Sequence, residues 1–186
     1  MTTLKALLLA ATLTGAAVTT ATAAPLKTDP ARSSVAAVFK QMNVPVEAPF
    51  RSFSASIDYD AAKPAASKAN VEITTASFDI GDPMYNKEVA KKEWFNSAQF
   101  PKASFVSTSI APNGAGKLNV SGKLTLKGKT ADVTFPLAVR AEGGKQVFEG
   151  QLPIKRLAFN IGDGEWKDTS MVADEVVIKF RITAAN

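Results

Sequence analysis

The feature that most constrains the fold is a stretch of alternating residues between Lys117 and Ala141. Apolar or small residues fill every second position before and after a short link: Leu118, Val120, Gly122, Leu124 and Leu126, then Ala131, Val133, Phe135, Leu137, Val139 and Ala141. A period of two gives a β-strand one apolar face and one polar face. The Gly-containing link at 127–129 joins the two runs into a predicted antiparallel hairpin. Such long, half-buried strands favour a sheet curled around an apolar interior.

Alternation of the same kind recurs along the chain. It is clear in Phe53–Tyr59, Phe148–Ile154 and Val176–Ile182, and shorter runs follow Ser33, Ala69 and Ala103. The pattern predicts an all-β fold, an extended eight-stranded antiparallel β-barrel. Two prolines between residues 42 and 49 predict a loop or an irregular edge there, and residues 157–161 are interpreted as a short segment leading into a loop.

One segment breaks the alternation. Asp82 and Pro83 are typical of a helix N-cap and first helical position, and they predict a single short helix over residues 84–95. We expect this helix to cap one end of the barrel.

The first residues are interpreted as a targeting segment. An apolar run follows Lys5 and leads to the small-residue pattern Ala21-Thr22-Ala23. This pattern is typical of a secretory signal peptide, so we expect residues 1–23 to be removed and residues 24–186 to form one domain.

Composition narrows the chemistry. The 186 residues include no cysteine and no histidine, which removes thiolate chemistry, the commonest general base and the commonest zinc ligands. The acidic residues between 163 and 175 are more simply explained as solvated turn residues. The net charge of +5 is spread over the chain, unlike the clustered basic stripe of a nucleic-acid binder. We therefore expect no enzyme activity, no metal and no nucleic-acid partner.

Several blocks of sequence resemble a known family. They are SSVAAVFKQMNV, FRSFSASIDYD, VEITTASFDIG, EWFNSAQFPKASFVSTSI and VSGKLTLKGKTADVTFPL, which in this order resemble the YceI family of bacterial periplasmic proteins. The resemblance implies a lipocalin-like barrel in the periplasm whose interior holds an isoprenoid lipid, such as an isoprenoid quinone or a polyprenyl phosphate. Histidine-poor members resemble forms associated with membrane b-type cytochromes. The alternative is therefore an accessory protein of such a redox system, with a packed, ligand-free barrel.

Candidate ligand contacts come from the inward phase of the strands. Periodicity alone leaves a filled barrel and a ligand cavity equally open, and small residues such as Ala37, Gly122 and Gly150 are interpreted as leaving room. The predicted ligand-binding residues are Phe39, Phe53, Ile57, Ile73, Phe105, Leu118, Val120, Leu124, Val133, Phe135, Leu137, Phe148, Leu152, Phe159, Ile178, Phe180 and Arg156. Arg156 and Arg32 are candidates for head-group contacts, with exposed strand-end charges as the alternative. Trp94 and Trp166 either line the mouth or pack at its rim.

Overall fold

The structure is a computed structural model that describes residues 25–185. One curled antiparallel sheet of ten strands makes up most of these residues. The strands are β1 (Lys27–Thr28), β2 (Ser34–Gln41), β3 (Val44–Pro49), β4 (Phe53–Asp58), β5 (Lys68–Thr74), β6 (Lys102–Pro112), β7 (Lys117–Leu126), β8 (Lys129–Glu142), β9 (Lys145–Lys155) and β10 (Val172–Ala185). The described residues also contain a single α-helix, α1 (Pro83–Val89). They contain five short 3-10 turns, at Pro30–Arg32, Pro64–Ala66, Thr75–Ser77, Arg156–Phe159 and Gly164–Lys167. The predicted all-β antiparallel class is confirmed, with ten strands in place of eight. The predicted signal peptide lies outside the described residues.

The sheet curls until edge strand β4 meets β1 and the residue that precedes it, Leu26. Its strand order is β3-β2-β10-β9-β8-β7-β6-β5-β4, with β1 paired to β10. Edge strands β3 and β4 form no ladder with each other; instead Phe50 bridges Phe78 and Leu26 bridges Ile57. The Leu26 amide donates to the Ile57 carbonyl at 2.7 Å. Short bridges rather than a continuous ladder therefore close the barrel.

The central hairpin has the predicted register. Val120 faces Phe135 and Gly122 faces Val133 in the β7–β8 ladder. Lys127 and Gly128 have φ angles of 47° and 75°, as a two-residue hairpin turn requires. The inward residues Leu118, Val120 and Phe135 belong to the buried core, so the alternation does point one face to the interior.

The proline-rich segment 42–49 contains edge strand β3, so of the predicted loop and irregular edge the structure has the edge. This strand tolerates Pro45 and Pro49 because it has a neighbour on one side only. Two other local expectations change. Helix α1 ends at Val89, well before the predicted end at residue 95. The segment after Lys155 folds into a 3-10 turn that ends at Asn160 in the left-handed conformation.

Ion pairs fix the outer face of the sheet, opposite the core. Glu149 on β9 accepts hydrogen bonds from Arg140 on β8 and from Arg181 on β10. These donors, Arg140 first, lower the pKa of Glu149 to about 2. Within residues 25–185, no helix is both long enough and apolar enough to cross a bilayer.

Candidate ligand cavity

A cavity of about 230 Å³ runs through the centre of the curled sheet. Nearly all of its wall is apolar. Every strand from β2 to β10 except β3 contributes side chains to this wall. The polar side chains among its lining residues are few: Gln41, Tyr59, Ser67, Lys68, Tyr85, Glu88, Ser104 and Arg156. Tyr85 lines the cavity and is 52% exposed, so the cavity reaches the surface beside α1.

All but three of the predicted ligand residues line this cavity. They are Phe39, Ile57, Ile73, Phe105, Leu118, Val120, Leu124, Phe135, Leu137, Phe148, Leu152, Ile178, Phe180 and Arg156. Phe53 and Val133 instead pack against the core from partly buried positions. Phe159 is buried in the 3-10 turn after β9, because the chain leaves the sheet there and its period of two ends. Contact between these residues and a ligand stays a prediction.

Aromatic rings occupy the space beside two inward glycines. A Cβ placed on Gly122 would lie 2.5 Å from the ring of Phe105, and one on Gly150 would lie 2.5 Å from the ring of Phe180. Phe135 connects the two rings, with centroid distances of 5.4 Å to Phe105 and 5.5 Å to Phe180. The expectation that these glycines leave room for a ligand is therefore wrong, because aromatic side chains from neighbouring strands already cover them. We call Phe105, Phe135 and Phe180 the aromatic shelf.

A second aromatic cluster lies at the end of the cavity next to α1. The rings of Phe50, Phe78 and Phe95 pack edge to face, with centroids 5.2 to 6.0 Å apart. All three line the cavity and none was predicted to. These three residues lie outside the long alternating runs, so periodicity does not identify them as cavity residues. The only sequence signal for them is the aromatic content of the short phrases FRSF, SFDI and EWF, which lie near the closure of the barrel.

Trp94 and Trp166 lie together at the same end of the cavity. Their ring centroids are 5.3 Å apart, and both line the cavity. Trp94 is buried and Trp166 is partly buried. Helix α1 ends at Val89, so Trp94 does not lie on the helix. Its side chain is buried against the cavity. Of the two alternatives for these residues, the structure supports lining.

Arg156 is buried beneath this pair, with 2% of its surface exposed. Its guanidinium lies 5.6 Å from the ring centroid of Trp94. Five N–H···O bonds join it to main-chain carbonyls: Nε to Ala173 (3.1 Å), Nη1 to Ile161 (2.9 Å) and Gly162 (3.3 Å), Nη2 to Trp166 (2.7 Å) and Val172 (2.7 Å). Five is the full donor capacity of arginine. The predicted head-group contact is thus corrected, because no donor of Arg156 remains for a ligand.

The charge of Arg156 is offset only in part. Burial lowers the pKa of its guanidinium, while the nearby Asp174 carboxylate acts in the opposite direction. Asp174 itself accepts from the Leu157 amide at 3.0 Å. Arg156 therefore ties the loop between β9 and β10 to the end of the barrel. Arg32, the other candidate, is an exposed residue near β1, at the opposite end of β10.

The Lys127 turn reaches across to the same loops. Lys127 Nζ donates to the carbonyls of Glu93 and Asn160, and Lys129 Nζ donates to the Asn160 side chain at 2.8 Å. Burial lowers the pKa of Lys127, with Asp163 nearby opposing the shift. The phrase GKLTLKGKT thus encodes a turn whose two lysines hold the end of the cavity together.

Helix α1 is fixed at its start by two carboxylates. Asp82 caps it by accepting from the amides of Met84 and Tyr85, as predicted. Asp79 accepts from Asn86 and Gly81 and pairs with Arg51, which together lower its pKa to about 2. These bonds position Tyr85 and Val89 at the cavity wall.

The described residues contain no group of three or more His, Cys, Asp or Glu side chains able to hold a metal ion. Of the acidic residues between 163 and 175, Asp163 pairs with Lys127 and Lys167, Glu175 pairs with Lys155, and Asp168 accepts from the Ser170 amide. These carboxylates therefore act mainly in ion pairs and turns.

Comparisons with known proteins agree with this architecture. Residues 26–184 match the family model described as a YceI-like domain. The crystal structure of Burkholderia cenocepacia BcnA shares 56% identity and a TM-score of 0.84, covering 86% of this chain and all of that one. A Campylobacter jejuni YceI protein, at 21% identity and a TM-score of 0.70 over 76% of this chain and 85% of its own, shares the fold.

Curated relatives match over a shorter stretch. A UPF0312 protein of Shewanella oneidensis is 41% identical over 104 residues, which are 56% of this chain and 51% of the relative. The aligned stretch thus spans about half the length of the curated relatives. With the family model matched from the first closing bridge at Leu26 to the end of β10, the chain belongs to the YceI-like family.

Proposed function

We propose that this protein is a non-enzymatic periplasmic carrier that binds an isoprenoid lipid in its central cavity. The observation that carries the proposal is the almost wholly apolar wall of that cavity, which is formed by inward side chains from eight of the ten strands and from their flanking turns. A similar fold has been described as a polyisoprenoid binding domain from Saccharophagus degradans, with a TM-score of 0.66 and 18% identity over 87% of this chain and 97% of that one. The periplasmic location rests on the predicted signal peptide.

Apolar burial alone gives such a cavity its affinity. Each methylene of a tail contributes about 0.8 kcal/mol when it leaves water, so a long isoprenoid needs few polar contacts. The cavity volume of about 230 Å³ is small for a long tail. Phe105 and Phe180 are only partly buried, so their rings can turn and widen the cavity around a ligand. An isoprenoid quinone or a polyprenyl phosphate fits this description.

The aromatic shelf favours a second candidate. Its rings already cover Gly122 and Gly150, as expected for a packed interior. In that case the protein is a ligand-free accessory protein, and its partner is a membrane b-type cytochrome of a quinone redox system.

A single enlargement at Leu124 separates the two candidates. Leu124 lines the cavity between the shelf and the end of β7 and is partly buried. In a ligand cavity, Leu124→Trp should displace isoprenoid and leave the melting temperature of delipidated protein nearly unchanged. In a packed core, it should destabilise the protein by about 1–3 kcal/mol, with or without added isoprenoid.

The control is Lys123→Trp, which places the same ring on the outer face of the same strand, where Lys123 is exposed. This variant should retain isoprenoid binding. Equal loss of stability for Leu124→Trp in both conditions would sink the carrier proposal.

A further inference from the structure

Large apolar side chains that remain exposed are concentrated at one end of the fold. Six large hydrophobic residues of the described chain are exposed, and five of them lie around the cavity end next to α1. These five, which we call the apolar rim, are Met42 (61%), Val44 (61%), Met84 (76%), Tyr85 (52%) and Met171 (45%). The sixth, Val106, lies on the wall strand β6.

The three segments that carry the apolar rim border the cavity. The Met42 amide donates to the Met171 carbonyl at 2.8 Å, which joins the β2–β3 hairpin to the loop before β10. Their neighbours Gln41 and Val172 line the cavity, as does Tyr85 in the first turn of α1. The rim therefore surrounds the place where the cavity reaches the surface.

Folding does not account for these apolar residues. Met42 and Asn43 form the hairpin turn with φ angles of 47° and 64°, a conformation that favours Gly, Asn and Asp. A methionine at such a position costs backbone energy, and its exposed side chain recovers little of it by burial. Met84 is likewise exposed at the start of a helix, where a polar residue would serve equally well.

Charge at this end is mixed. Lys40, Lys87 and Lys92 are exposed on the same segments or just beyond them, and none has a carboxylate within 4.0 Å in the described chain. Of the nearby carboxylates, Glu88 pairs with Lys91, whereas Asp82 and Asp168 accept hydrogen bonds from uncharged groups and keep their charge. The exposed apolar side chains, rather than a net charge, therefore distinguish this end.

We propose that the apolar rim docks on the surface of a lipid bilayer, so that ligand passes between membrane and cavity without entering water. The proposal rests on the proposed carrier function. Shallow insertion of apolar side chains is one way that peripheral proteins bind an interface. The rim surrounds the cavity mouth, so docking places the cavity opening against the membrane.

The test compares a rim variant with a wall variant. Met42, Met84 and Met171 do not line the cavity, so the triple change Met42→Ser, Met84→Ser and Met171→Ser should leave ligand affinity in detergent-free solution unchanged. Each methionine should contribute about fivefold to vesicle binding, so the triple variant should bind roughly a hundredfold more weakly. Val106→Ser, which removes the exposed apolar residue outside the rim, should change neither quantity.

Vesicle flotation uses phosphatidylcholine alone and phosphatidylcholine with phosphatidylglycerol. A fluorescent isoprenoid quinone reports affinity in solution and the transfer rate from vesicles. We expect wild type to float with both kinds of vesicle, with little effect of salt, and the triple variant to transfer quinone far more slowly. Unchanged flotation or transfer in the triple variant overturns the docking proposal.

The remaining outcomes separate the two proposals. Quinone binding in solution without vesicle binding overturns docking and leaves the carrier function. Vesicle binding without any quinone binding overturns the carrier function and leaves a membrane-docking surface. If sedimentation shows that wild type self-associates through the rim and the triple variant does not, the rim covers a second copy of the chain, and docking on a membrane is overturned.

Discussion

Replacing Arg156 with methionine separates a structural role for this buried cation from the head-group role that its position in the sequence suggests. The change keeps a long apolar side chain against Trp94 and removes all five donors to carbonyls of residues 161–173. Those carbonyls belong to the loop that closes one end of the cavity.

The expected cost follows from the number of bonds broken. A buried polar group left without a partner costs about 1–3 kcal/mol, but the loop is mostly exposed between Gly164 and Met171, so water can replace some of the lost donors. We therefore expect a loss of about 3–5 kcal/mol in the free energy of unfolding, the range seen when a buried charged cluster is broken. For a domain of this size, that is a fall of roughly 10 °C in melting temperature.

Urea unfolding of delipidated protein measures the loss, and hydrogen exchange of residues 161–173 locates it. Arg32→Met is the matched control, because the Arg32 side chain is 63% exposed and its carboxylate partner Asp29 is 3.9 Å away. That control should change the unfolding free energy by less than about 0.5 kcal/mol.

A contrary outcome is simple to recognise. If Arg156→Met protein without lipid unfolds like wild type and loses only affinity for an isoprenoid phosphate, then the guanidinium serves the ligand. The five carbonyl bonds would then contribute nothing measurable, and the structural account of this end of the cavity would be wrong.

Two further predictions concern the shelf and the helix. The three atoms nearest to a Cβ on Gly150 all belong to the ring of Phe180, whereas a Cβ on Gly122 also lies 2.5 Å from the main-chain carbonyl oxygen of Val106. Gly150→Ala should therefore fold and lose isoprenoid affinity as the ring swings into the cavity, while Gly122→Ala should lose about 1–3 kcal/mol of stability. Equal thermal shifts for the two variants would contradict this. The pKa of Asp79 falls from 3.8 to about 2 in the folded protein, so its stabilising effect is complete above pH 3.8 and is lost as pH falls to about 2. Asp79→Asn should thus reduce the stability difference between pH 5 and pH 3 in urea titrations, and an unchanged difference would refute the role given to Asp79.

The alternating strands could be predicted because each half-buried strand carries its own period of two. Leu118, Val120, Leu124 and Phe135 all face the interior as expected. The turn at Lys127 and the cap at Asp82 were equally local, since each depends on a few adjacent residues.

Features that depend on distant contacts could not be predicted. The closing segment near Leu26 pairs with β4 and β10, which follow much later in the sequence.

Arg156 shows the same limit at the cavity. Because Arg156 follows a strand, the sequence predicted a charged side chain at the end of the barrel. The carbonyls that accept its hydrogen bonds come from a loop, and the path of a loop cannot be predicted from periodicity. The same holds for Gly122 and Gly150, whose space is filled by rings from neighbouring strands.

If the cavity holds an isoprenoid lipid, as we claim, organic extraction of the purified protein followed by mass spectrometry will detect that lipid. Protein isolated under mild conditions should yield an isoprenoid in a near-stoichiometric amount, and Leu124→Trp protein prepared in parallel should yield far less. Extraction should also lower the melting temperature of wild type, because ligand bound to the folded state stabilises it. Folded wild-type protein that yields no isoprenoid and melts at the same temperature before and after extraction would contradict the claim.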